Sequence, residues 1–216
     1  DNNEGRDERV VNVDPLREVI DYALEQGVPV VAAAGNRGAD DDPVFYPAAY
    51  PGVLTVGASD RSGERSFYSS TGRWLDIIAP GGNNQGTLSQ DIAALWELDR
   101  IRPVAGSSFA APLVTGAASL YLGLNPHITR GFTPSAQPPA PGANLPDNGY
   151  QRTVDDVKIA LQNGVRDLYP QGHDIFNGWG RLNVDRVLDI PALGGPLVDP
   201  ARLQLPRTNA DSVIEV

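Results

Sequence analysis

Apolar residues recur at Leu16, Val19, Ile20, Ala23 and Leu24, the i, i+3, i+4, i+7, i+8 spacing that draws one stripe along a helix. Asp14-Pro15 precedes it, a capping carboxylate followed by proline where the first helical N–H is not needed. Gly27 supplies a left-handed C-terminal stop. Residues 28–34 are continuously apolar and rich in β-branched side chains, which predicts a strand covered on both faces. Residues 53–58 and 74–79 repeat that pattern, the latter ending at Pro80-Gly81-Gly82. A long apolar helix of small residues is expected over 106–123, buried on most faces and lying centrally against the sheet. A further helix should open at Thr153-Val154-Asp155-Asp156, run through Leu161 and stop at Gly164; a short one covers 184–188. Strands alternating with helices predict the α/β class with a mostly parallel sheet.

The remaining stretches lack periodicity. Residues 1–9 alternate acids, Arg and small polar residues and read as a loop. Residues 131–150 hold five prolines and three glycines with Asp147 as the single charge, an irregular insertion. The tail 191–216 carries four prolines and is expected to wrap the surface or link to something else.

Composition narrows the chemistry. Of 216 residues, 17 are Lys or Arg and 27 Asp or Glu, a net charge of −10, which argues against a nucleic-acid partner. There is no cysteine, hence no disulfide, thiol nucleophile or zinc–thiolate site. No uninterrupted apolar run approaches the length of a membrane span, and no signal peptide opens the chain. There is also no methionine, so a processed product or a fragment is expected.

Two segments could hold a reaction centre. In Gly106-Ser107-Ser108-Phe109-Ala110-Ala111-Pro112, a serine sits at the first turn of a buried helix, where unpaired N–H groups and the helix dipole favour developing negative charge. Ser107 or Ser108 could equally serve as a simple cap. In Ala32-Ala33-Ala34-Gly35-Asn36, an Asn lies at the C-terminal end of a strand, where open α/β sheets place ligands and where its amide could donate to an oxyanion. An ordinary turn Asn is the alternative.

Taken together, these segments resemble the subtilisin-like serine proteases, with their Gly-Thr-Ser-Met-Ala-Ala-Pro and Ala-Ala-Gly-Asn motifs. Four further stretches resemble the family in the same order: Tyr46-Pro47-Ala48-Ala49-Tyr50-Pro51 through Ala58, Phe67-Tyr68-Ser69-Ser70-Thr71-Gly72, Asp76-Ile77-Ile78-Ala79-Pro80-Gly81, and Gly178-Trp179-Gly180-Arg181-Leu182-Asn183. The resemblance covers roughly residues 14–188. It implies a three-layer α/β/α fold, here N-terminally incomplete, with residues 1–190 forming the C-terminal portion of a peptidase domain. It implies Ser108 as the nucleophile and Asn36 as the side-chain half of the oxyanion hole, the Ser108 N–H being the other half. Phe109 replaces the usual Met and Ser107 the usual Thr, and Leu113 stands where many relatives have His.

The resemblance further implies a primary specificity pocket walled by Ala33, Ala34 and Gly35, with Phe45 at its base shortening it toward small or medium side chains. No cofactor is needed for the chemistry. A structural Ca²⁺ or Na⁺ could be held by carbonyls of Ala48, Tyr50 and Val53 with the Asp76 carboxylate, although Asp76 could equally be a structural acceptor. The family's Asp and His motifs are missing: His127 and His173 both lie outside the family's His motif. A serine without a base is a poor nucleophile, so the chain alone should be inactive and the N-terminal portion of the same domain is an expected partner beside a polypeptide substrate. An extracellular location follows from the resemblance only.

Other readings compete. An α/β-hydrolase would need Gly-x-Ser-x-Gly, but Ala110 fills the fifth position. A non-catalytic module of the same fold acting as a binding scaffold is the chief alternative. Dinucleotide and P-loop motifs are absent.

Overall fold

A computed structural model describes residues 14–39, 44–97, 100–125 and 150–190. The N-terminal loop, most of the Pro/Gly-rich insertion, His127 and the tail lie outside the described residues. Helix α1 spans Pro15–Glu25, and the Asp14 carboxylate accepts the backbone N–H groups of Leu16 and Arg17 at 3.1 and 3.4 Å, as a cap should. Gly27 closes it at φ 73°, and the Val28 N–H turns back to the Ala23 carbonyl. That bond takes Val28 out of the sheet, so strand β1 is shorter than expected, Val31–Ala33.

Strands β1, β2 (Leu54–Ser59) and β3 (Ile77–Pro80) form a parallel sheet in the order β1-β2-β3. Val31 pairs with Leu54, and Val56 with Ile77. The period-2 alternation of a strand then sorts the side chains. Leu54, Val56, Ile77 and Ala79 join one apolar cluster, whereas Ile78 joins Ala34 and Leu75 in another.

Helix α2, Ser107–Leu124, lies across all three strands. Its Ala110, Ala111, Val114, Ala117, Ala118 and Tyr121 are buried in the main cluster, where small side chains let the helix approach the sheet closely. Helices α3 (Tyr150–Asn163) and α4 (Val184–Asp189) complete that core through Val157, Ala160, Leu161 and Val187. The expected α/β architecture with a parallel sheet is present.

Three details depart from expectation. α2 is buried along one side only; Leu113, Gly116, Leu120 and Leu124 form an open stripe. By length and mean hydropathy, 1.3, α2 would pass for a membrane-crossing helix, but its buried face is that of a core helix. α1 likewise leaves Leu16 and Val19 exposed and buries only Leu24. Finally, an antiparallel hairpin, β4 (Ile92–Trp96) with β5 (Arg100–Val104), precedes α2 where no strand was expected.

Candidate active site

The Ser107-Ser108 segment is placed by the glycines around it. Gly106 has φ 152° and ψ 153°, a conformation almost confined to glycine, and its N–H donates to the Gly81 carbonyl just past β3. A β-carbon on Gly81 would stand 2.5 Å from the Ala58 β-carbon and 2.9 Å from the Gly106 carbonyl oxygen, so the strand end and the helix start touch backbone to backbone. This contact puts the first turn of α2 at the C-terminal edge of the sheet.

The two serines then separate. Ser107 is fully buried; its backbone N–H and its hydroxyl both donate to Asn36 Oδ1, each at 2.9 Å, and its Oγ accepts the Gly35 N–H at 3.1 Å. A backbone N–H can only donate, so the Asn36 carboxamide must present its oxygen to Ser107. Its Nδ2 is thereby turned toward Gly106, lying 3.3 Å from where a β-carbon there would be. Asn36 and Ser108 are both exposed, and neither Asn36 Nδ2 nor Ser108 Oγ has a hydrogen-bond partner among the described residues. Neither serine caps the helix through its side chain. The Ser108 N–H is one of the helix's unpaired first donors. An exposed hydroxyl, a free amide N–H₂ and a free backbone N–H therefore share one spot.

The loop after Asn36 is stapled from beneath. Ser70 N–H donates to the Gly35 carbonyl, and Ser70 Oγ accepts the Arg37 N–H, both at 3.0 Å. The Phe45 ring lies against the bare face of Gly35: a β-carbon there would be 2.7 Å from Phe45 Cδ2 and Cε2. Ala34 is fully buried and Ala33 partly so. Ala33, Ala34, Gly35 and Phe45 are thus adjacent.

His173 is elsewhere. Its Nε2–H donates to the Leu75 carbonyl at 2.9 Å and its ring meets Trp179 edge-on. Leu75 precedes β3, whereas Gly81 and the Ser108 turn follow it; at about 3.3 Å per residue that separation is roughly 20 Å. The candidate cation ligands are also brought together, but every one of them has a protein donor. Thr55 Oγ1–H donates to the Ala48 carbonyl at 2.5 Å, the Val53 N–H to Tyr50, and Lys158 Nζ to Val53 at 3.0 Å. Asp76 accepts from the Thr55 N–H at 2.7 Å, Gln162 Nε2 at 2.8 Å and Lys158 Nζ at 3.1 Å. Sequence reasoning overlooked Ser107 as the clamp on Asn36, and Lys158 altogether. The signal for Lys158 was its place on the buried stripe of α3, between Val154, Val157 and Leu161.

A model of the subtilase family matches residues 4–180. The chain belongs to that family. It is 40 % identical over 116 residues to subtilisin amylosacchariticus of Bacillus subtilis subsp. amylosacchariticus, covering 53 % of this chain and 28 % of that protein. It is 39 % identical over 116 residues to the subtilisin of Bacillus pumilus, covering 53 % and 39 %. Among solved structures, a lanthipeptide protease superposes with TM-score 0.61 at 22 % identity, a likeness of fold. The prenylagaramide maturation protease PagA gives 0.57 at 28 % identity; each match covers 80 % of this chain and 54 % of the other. This subtilase chain therefore spans under two-fifths of those curated relatives and about half of those solved chains.

Proposed function

We propose that this chain carries the nucleophile half of a serine endopeptidase centre. The observation that carries the reading is the Asn36 carboxamide clamped by Ser107, which leaves Nδ2 beside the Ser108 N–H at the start of α2. Ser108 Oγ attacks the scissile carbonyl carbon as a base removes its proton. The oxygen that becomes negative is held by Asn36 Nδ2 and the Ser108 N–H. Collapse releases the amine once it is protonated, leaving an acyl ester on Ser108 that water then hydrolyses. No cofactor enters these steps.

The base comes from outside this chain. His173 hydrogen-bonds at the far end of β3, and His127 is outside the family's His motif. The open stripe Leu113, Gly116, Leu120 and Leu124 on the helix that starts at Ser107 suits the N-terminal portion of the same domain packing there with the missing base. The 216-residue chain alone should then show no peptidase activity. Robust Ser108-dependent casein cleavage by it would refute this. The polypeptide substrate's side chain before the scissile bond enters between Ala33, Ala34 and Gly35, and Phe45 limits it to small or medium size. The reading places the enzyme outside the cell, as its subtilisin relatives suggest.

A fluorophosphonate probe applied to the chain complemented by its N-terminal portion tests the centre. Peptide mapping should find the adduct on Ser108. An adduct on Ser107 overturns the assignment, and absence of any adduct favours the scaffold reading.

A further inference from the structure

The loop ahead of β2, the residue just before β3 and the middle of α3 meet at one ammonium group. Lys158 Nζ lies 3.0 Å from the Val53 carbonyl oxygen and 3.1 Å from Asp76 Oδ1. The Asp76 side chain is about nine-tenths buried, and that of Lys158 is 27 % exposed. The carboxylate also accepts the Thr55 N–H on Oδ2 and Gln162 Nε2 on Oδ1, while Thr55 Oγ1 reaches back to Ala48 in the same loop. These oxygens are the set that the family resemblance offers to a loosely held hard cation, and they do not fit one here. Ca²⁺ takes about six to eight oxygens. It would have to share Val53 and Asp76 with a fixed positive charge about 3 Å from each, and among the described residues no cluster of three or more acidic or His side chains could compensate it.

We propose that the Lys158 ammonium is itself the cation of this site, a tethered charge that replaces a dissociable ion in holding the loop at Val53 to Asp76. An ammonium is a compact point charge with three donors on a flexible stem, which suits a pocket of carbonyl and carboxylate oxygens. Tethering removes the concentration dependence that a bound ion gives to stability. The consequence reaches Phe45, because the loop it anchors runs from Phe45 to Val53 and its own turn is closed by the Ala49 N–H on the Phe45 carbonyl. The inference is independent of the peptidase reading, since its readout is stability rather than cleavage.

The test compares thermal melting of the full-length protein in tetramethylammonium chloride with that in NaCl, KCl or CaCl₂ at equal ionic strength. The unsubstituted protein should be indifferent to the ion. Lys158→Ala should melt lower and recover about 3–6 °C, saturably, with a small cation at about ten times its dissociation constant. A saturable gain in the unsubstituted protein overturns the proposal, as does a folded Lys158→Ala variant that ignores every cation. Should that variant fail to fold in any salt, the ¹H–¹⁵N resonance of the Lys158 ammonium in the unsubstituted protein decides. Exchange-protected and unmoved by Na⁺ or Ca²⁺, it upholds the tethered charge; broadened by exchange, or shifted saturably, it overturns it.

Discussion

Ser107 and Ser108 are neighbours of the same chemical type, yet burial gives them opposite tasks. Ser107 has no exposed surface and spends its N–H and its hydroxyl on Gly35 and Asn36, 72 and 71 residues away in sequence. Ser108 faces solvent with its hydroxyl uncommitted. On the proposed chemistry, Asn36→Leu lowers kcat with little change in KM, because its donor meets charge that exists only in the transition state. The loss expected is the one reported for the corresponding donor in subtilisin itself, about 10²–10³ in kcat. Ser107→Ala should also lower kcat more than it changes KM, since Asn36 keeps the backbone bond but loses the hydroxyl that fixes its tilt. Steady-state kinetics on the complemented enzyme separate the two parameters; a pure KM effect for either variant contradicts the assigned geometry. Replacing Phe45 with Gly should extend a peptide-library profile toward large aromatic side chains, and an unchanged profile would mean that the ring does not close the pocket.

At the scale of elements, the hairpin is the instructive case. Ile92–Trp96 contains two alanines, and its partner Arg100–Val104 contains two arginines and a proline, so neither reads as a strand by propensity. Pairing and a capped entrance make the hairpin. Asp91 collects the N–H groups of Asn83, Gln85, Gly86 and Thr87 at 2.9, 3.3, 2.6 and 3.3 Å, which knots the loop leading into β4. Partial burial pushes its carboxyl upward, but these four donors together outweigh that and hold it below the usual value of 3.8. A depressed folded-state pKa gives stability that is complete above the unfolded value and fades as pH falls through the folded one. Acid denaturation of the hairpin should therefore begin below about pH 4. Asp91→Asn should flatten that limb, and identical acid profiles for the two proteins would dismiss the knot as a stabilising element. The helices were easier to read. Asp14 and Gly27 bound α1 as local chemistry requires, whereas its exposed Leu16 and Val19 show that a stripe announces a helix without saying what covers it.

For the molecule as a whole, two tyrosines tie distant parts together and predict its behaviour in alkali. The Tyr50 hydroxyl donates to Asp14, joining the start of α1 to the loop before β2, and that bond, with burial second, pushes it up to about 12. Tyr121 is buried between sheet and helices, and burial followed by the Asp156 charge also pushes it up to about 12. A raised folded-state value means stability is complete below the unfolded value of 10.0 and lost as pH rises through about 12. Ultraviolet titration should show Tyr50 and Tyr121 ionising late and together with unfolding, beside Tyr68, which burial also raises; Tyr50→Phe should remove one late group. Two early, fully reversible transitions near pH 10 would count against both contacts.

What depends on neighbours along the chain was legible from the residues alone: the capped and glycine-stopped α1, the three apolar strands, the helix behind Ser108, and the family whose motifs recur in order. So were Asn36 and Ser108 as candidates, because their glycine-rich contexts are local. Which serine is buried, which way the Asn36 amide points, and that Lys158 reaches the oxygens around Asp76 follow from folding alone. Each of those is settled by a contact across some 70 to 105 residues, as in Ser107 with Asn36 or Lys158 with Val53. Backbone geometry and packing create such contacts, and no local pattern of residues encodes their direction.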